Sequence, residues 1–211
     1  MKKNNQDNRK NVVFAAIAIA TLIVAIIGAT YAYFVAQVGS GATANVTLTT
    51  RTTDSLTFST GSAITIGPVT QANFAQGAGN KSGSTTGTVQ LKANANSSAT
   101  YCYSAYLKVT TNNFVYSTAP TNTPELTVTA QKNSTTVLSS RDITTAAVNS
   151  QVNFPTALNG STVKHTITAT AGNTTTDNWT VTVTFVNLNS DQNSNTGKTF
   201  QATIYFENTA C

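Results

Sequence analysis

Few side chains in this protein are equipped for chemistry. Its 211 residues include one histidine, His165, two cysteines, Cys102 and Cys211, and seven carboxylates. A single histidine cannot supply a histidine-based zinc set, and neither H-E-x-x-H nor C-x-x-C occurs. A Ser-His-Asp triad through His165 would need a nucleophile setting such as G-x-S-x-G, which is absent. In "TVKHTITATA" the histidine is expected on the outward face of a strand. The carboxylates are isolated, with no spacing that pairs a general acid with a base. The nearest approach to a cation site is "DQNSNTG", where Asp191, Asn193 and Asn195 have the alternate spacing of a calcium loop. Gly197 then falls at the seventh position rather than the sixth, and Ala202 stands where a bidentate Glu belongs. This segment reads as a hairpin loop. No catalytic, cofactor-binding or metal residue is expected, and the chain is not read as an enzyme.

The cysteines leave two readings open. In an exported chain they can pair, tying the C-terminus to a central strand. Alternatively Cys102 is a buried free thiol and Cys211 lies at a frayed end. The separation of their Cα atoms decides between these. No cysteine directly follows the apolar N-terminal run, where a lipoprotein would carry one.

The elements that position these groups divide into a leader and one domain. "MKKNNQDNRK" is a basic start, and Val12 to Ala36 is an apolar run broken only by Thr21, Gly28 and Thr30. As a helix it would extend about 37 Å, enough for a hydrocarbon core of roughly 30 Å. That length suits a retained anchor. Thr30 and Ala32, however, form the small-x-small pair that signal peptidases read, so that Tyr33 would become the first mature residue. No positive charge follows before Arg51, and the basic residues precede the run, which places the domain outside. Residues 1–32 are accordingly read as a signal peptide or membrane anchor, 33–50 as an N-terminal strand segment and 51–211 as the domain. About 175 residues suffice for one core that buries roughly 70% of the unfolded chain's surface.

Beyond residue 40 the apolar pattern has a period of two. Tyr101, Tyr103, Ala105, Leu107 and Val109 share one face, as do Trp179, Val181, Val183 and Phe185, and Phe200, Ala202, Ile204 and Phe206. Weaker versions occur in "TVQLKANA", "PELTVTAQ" and "TVKHTITATA". Near the start, Val46 and Leu48 share a face, Leu56 and Phe58 another, Ile64 and Ile66 a third. The clusters "GAGNKSGSTTG", "TNTPE", "AGNTTTDN" and "NLNSDQNSNTGK" read as turns. Threonine supplies about one residue in five and asparagine about one in nine, which favours strands and turns. The expectation is all-β: a jelly-roll-like antiparallel β-sandwich of eight to ten strands, preceded by a hydrophobic signal or anchor helix.

The sequence pI near 9.3 suggests nucleic acid, but its source is the leader. From Tyr33 onward eight basic residues oppose six acidic ones, leaving +2 and no basic stripe, so no nucleic-acid partner is expected. The Thr-rich strands lack the edge lysines and prolines that block strand addition. Cleavage after Ala32 would free Tyr33–Thr50, an uncharged segment that spans up to about 60 Å when extended. It is suited to adding a strand to another subunit. The alternative is that Ala42–Thr50 pairs inside its own sheet.

"GATYAYF" followed by "GATANVTLTTRTTDSLTFSTGS" resembles the TasA and camelysin group of secreted bacterial biofilm-matrix proteins. The resemblance is clearest over residues 28–60. It implies a special signal peptidase cutting after Ala32, a jelly-roll-like domain, and fibres in which each N-terminal strand completes the next subunit's sheet. Tyr33 and Phe34 would lead the donated strand, with Val46 and Leu48 farther along it. Metalloprotease activity, linked to camelysin-type proteins, is not carried over, since His165 is the only histidine. The chain departs from the group in its low charge and its two cysteines.

The expected function is therefore a secreted cell-surface or matrix structural protein. Its partners would be further copies of itself or related matrix subunits, with membrane contact only through the N-terminal segment and no cofactor. Two alternatives stand beside it. One is a membrane-tethered monomeric adhesin that keeps Val12–Ala36. The other is a pilin-like subunit cut after Lys10, although "RKNVVFAAIAIA" lacks the usual small residue before that cut and the glutamate after it.

Overall fold

A computed structural model describes Thr21 and residues 47–49, 54–118 and 120–211. Thr21 is helical. No helix among the described residues is long and apolar enough to cross a membrane; apart from Thr21, the apolar run 12–36 lies outside them. Eleven strands are described: β1 (Thr47–Thr49), β2 (Ser55–Thr60), β3 (Ile64–Ile66), β4 (Lys81–Lys92), β5 (Ala99–Asn112), β6 (Leu126–Lys132), β7 (Thr135–Asp142), β8 (Gln151–Asn153), β9 (Lys164–Ala169), β10 (Thr174–Phe185) and β11 (Phe200–Thr209).

They form two antiparallel sheets. The first has the order β1-β2-β4-β10-β6-β7; the second has β3-β11-β5-β8, with β9 also paired to β5. Period-two alternation dictates what each strand contributes. β10 turns Trp179, Val181, Val183 and Phe185 into the core, where they cluster with Tyr103, Leu107 and Val109 of β5 and Phe200 and Ile204 of β11. Its intervening threonines stay exposed or half-buried. Burying each large apolar side chain contributes about 1.5–3 kcal/mol, and this cluster holds the two sheets face to face.

Local backbone chemistry fixes two of the contacts between elements. Asn133 (φ 49°) and Ser134 (φ 67°) join β6 to β7 by a two-residue turn with both residues left-handed, a geometry asparagine tolerates. Gly87 lies mid-strand in β4, and a Cβ there would sit 2.7 Å from the Phe206 ring. The glycine is what lets β11's aromatic side chain reach the first sheet.

Several expectations are corrected. "KSGSTTG" is not a turn but the first half of β4, and "TTTDN" opens β10. The segment around "DQNSNTG" is not a hairpin loop: it carries the chain from β10 in the first sheet to β11 in the second. β7 and β8, which lack a clear alternating apolar pattern, add to the strands expected. β1 lies within the 33–50 segment expected to be a strand and pairs with β2 of the same chain. His165 is not outward but 2% exposed, because it is in phase with the buried Ile167 and Ala169.

Candidate functional site

The sandwich manages its edges unequally. β5 pairs with β11 along Phe200–Thr209, whereas β3 meets β11 only at Phe200, Gln201 and Ala202. From Thr203 to Thr209, no strand among the described residues lies on the outer side of β11. Phe206, half-buried there, stacks on Phe58 of β2 with ring centroids 6.0 Å apart, so the open edge faces the β1–β2 side of the first sheet. Three other edges are blunted. The ladder between β6 and β7 is bulged, and Asn159 covers β7: its N–H donates to the Val137 carbonyl at 2.8 Å and its Oδ1 accepts from Ser139 N at 3.0 Å. β8 has three residues with Pro155 close behind, and β9 opens on Lys164.

Of the residues expected to act in processing and assembly, Thr30, Ala32, Tyr33, Phe34 and Val46 lie outside the described residues. Leu48 lies on β1, opposite Leu56 of the same chain, flanked by Thr47 opposite Thr57 and Thr49 opposite Ser55. Cys102 and Cys211 form a disulfide, with Cα atoms 5.1 Å apart. Thr209 is paired with Cys102, so the bridge fastens the far end of the open strand to β5. Lys164 Nζ donates to the Cys211 carbonyl oxygen at 3.3 Å.

A polar cluster lies inside the sandwich near the β6–β7 turn. Lys132 follows Leu126, Val128 and Ala130 on the inward face of β6, and Asp177 precedes Trp179 on the inward face of β10. Lys132 Nζ is 2.8 Å from Asp177 Oδ2, and the two side chains are 20% and 9% exposed. Tyr103 Oη donates to the same oxygen at 2.7 Å, and Asn133 Nδ2 donates to Asp177 Oδ1 at 2.9 Å. Trp179 Nε1 donates to Tyr103 Oη at 3.2 Å. Burial first, then the bond to Asp177, pushes the Tyr103 phenol well above its usual range. His165 stacks on Tyr103 at 5.3 Å, meets Trp179 edge-on at 4.9 Å, and donates from Nε2 to the Phe154 carbonyl at 3.0 Å. Burial pushes its pKa down. The alternation that predicts the core also marks these positions, since Lys132 and Asp177 each stand two residues from a core side chain.

A second cluster surrounds Glu125, which is fully buried. Ser117 N and Oγ both donate to its Oε1 at 2.5 Å, while Gln192 Nε2 (2.7 Å) and Asn195 Nδ2 (2.8 Å) donate to Oε2. Asn195 also bonds both backbone groups of Val115. The residues tested for calcium are thus split: Asn195 faces Glu125, whereas the exposed Asp191 accepts from Asn193 N at 2.9 Å. No sequence signal links Glu125 to residues some seventy positions away.

Among the described residues, no three His, Cys, Asp or Glu side chains gather as metal ligands would. A shallow cleft beside β7 is lined by Leu138, Ser139, Arg141, Asn159 and Gly160, a set without a general base for Ser139. Comparison with protein-family models finds no match, and comparison with curated proteins finds none.

Proposed function

We propose that this chain is a secreted bacterial surface or biofilm-matrix structural protein whose jelly-roll-like sandwich forms fibres by donor-strand exchange. The observation that carries the reading is the edge of β11 from Thr203 to Thr209, which has no strand on its outer side among the described residues. Seven residues of open backbone offer a ladder to an added strand, and each added hydrogen bond contributes about 1 kcal/mol net. The segment to be exchanged is the part of Tyr33–Thr50 that precedes β1, and Thr47–Thr49 root it on β2 at the same side of the sandwich. The blunted edges of β7, β8 and β9 leave the β11 side as the favoured acceptor.

The test combines the native N-terminus with the acceptor edge. Protein taken from its producing cells is expected to start at Tyr33 and to sediment as fibres. The variant Thr203→Lys with Tyr205→Lys is expected to keep the cooperative unfolding of the parent and remain in the supernatant. A native N-terminus at Met1, or undiminished fibres from the folded variant, would overturn the reading.

A further inference from the structure

We propose that Lys132 and Asp177 condense into an intramolecular isopeptide bond that links β6 covalently to β10 inside the sandwich. The proposal is independent of fibre formation and rests on four placements. First, both side chains are on inward faces, where an ion pair sacrifices the hydration of two charges for one attraction. Replacing the pair by an uncharged amide removes that cost. Second, Nζ lies 2.8 Å from Oδ2, so the amine is in contact with the carboxyl group it would attack.

Third, each carboxyl oxygen already has its own donor. Asn133 Nδ2 bonds Oδ1 at 2.9 Å, the oxygen that gains negative charge when the tetrahedral intermediate forms. The orientation of that amide is fixed, because Asn133 Oδ1 accepts from Asn178 N at 2.7 Å while Asn133 N donates to the Asn178 carbonyl at 2.7 Å. Fourth, Tyr103 Oη bonds Oδ2, the oxygen that must leave, at 2.7 Å. The Trp179 N–H donating to Tyr103 Oη polarises the phenol toward that oxygen, as in any hydrogen-bonded chain.

The step balances within the pair. The ammonium passes one proton to Asp177 Oδ2, giving a neutral amine and a neutral acid. The nitrogen lone pair attacks Cγ and the N–C bond forms. A second proton moves from nitrogen to Oδ2, the Cγ–Oδ2 bond breaks, and one water departs. The third proton remains as the amide N–H, and Oδ1 becomes the amide oxygen. No oxidant, reductant or metal enters.

The test is a tryptic digest of the reduced full-length protein read by mass spectrometry. Acylated Lys132 resists trypsin, so the expected species is peptide 109–141 joined to peptide 165–198, lighter than their sum by one water. Release of 109–132, 133–141 and 165–198 as separate peptides of full mass would overturn the proposal. So would a dehydrated 165–198 that is not joined to a second peptide. Lys132→Arg keeps a cation beside Asp177 but cannot form this bond, and is expected to yield no joined peptide. Tyr103→Phe, sampled at intervals after its synthesis, is expected to gain the link at least several-fold more slowly than the parent. An unchanged rate would remove Tyr103 from the step.

Discussion

At the scale of single residues, the buried polar groups make the sharpest statements. His165 is enclosed by Tyr103 and Trp179, and burial is the main force holding its pKa below the ordinary 6.5. Lys132 pushes in the same direction, while the Phe154 carbonyl and Asp177 oppose it. The imidazole is therefore neutral in the folded protein at pH values where the unfolded chain would already bind a proton. Stability falls wherever the unfolded state binds more protons as pH is lowered. The loss should begin near pH 6.5 and stop once the pH is below the folded-state pKa. Denaturant unfolding at a series of pH values is expected to show that slope in the parent and to lose it in His165→Phe. A slope unchanged by the substitution would assign it to the carboxylates. Asp142 illustrates the opposite outcome: burial works to raise its pKa, but bonds from Thr144 and Tyr116 hold it below the usual range.

At the scale of elements, β11 is the strand of the second sheet with the most uneven cover. Its first three residues are held on both sides, by β3 and β5; its remaining seven are held on one side by β5. The Cys102–Cys211 bridge closes the end that strand pairing alone would leave to fray. A crosslink spanning 109 positions restricts the unfolded chain strongly, so Cys211→Ser is expected to cost about 2–4 kcal/mol. Hydrogen exchange should show where that loss falls. Amides of Glu207–Thr209 are expected to lose protection before those of Phe200–Ala202. Uniform loss across β11 would mean that the bridge acts only through global stability.

At the scale of the whole molecule, Glu125 does what no single sheet can. Ser117 lies on the chain leaving β5, Glu125 itself enters β6, and Gln192 and Asn195 belong to the crossover from β10 to β11. One carboxylate therefore ties the β5–β6 connection to the β10–β11 crossover at one end of the sandwich and satisfies four donors. Glu125→Ala would orphan those donors in a buried space, and the expected loss is at least about 3 kcal/mol in equilibrium unfolding. A change under about 1 kcal/mol would show that the two connections are held by their backbone bonds instead. The open β11 edge contrasts with this end: the sandwich invests buried polar groups in closing one end while one side of its second sheet stays unpaired among the described residues.

β5 and β11, and the later parts of β4 and β10, were legible from the sequence, because one buried face forces strict alternation over many residues. "NWTVTVTFVN" could be placed inward and outward residue by residue, and so could "TYCYSAYLKVT" except at Cys102, which alternation puts outward and the structure buries. The short strands β7 and β8 were not, since their place is set by partners rather than by their own pattern. Alternation also carried information about Lys132, Asp177 and His165, whose phase relative to core neighbours marks them as inward. What alternation cannot state is which inward groups meet. The contacts of Lys132 with Asp177, Glu125 with Asn195, and Cys102 with Cys211 join positions 45, 70 and 109 residues apart. Strand order and the crossover between sheets decide these meetings, and both depend on how the two faces pack. Local sequence determined the long strands and most of their faces; only the tertiary structure decided which edge is open among the described residues and which buried charges found partners.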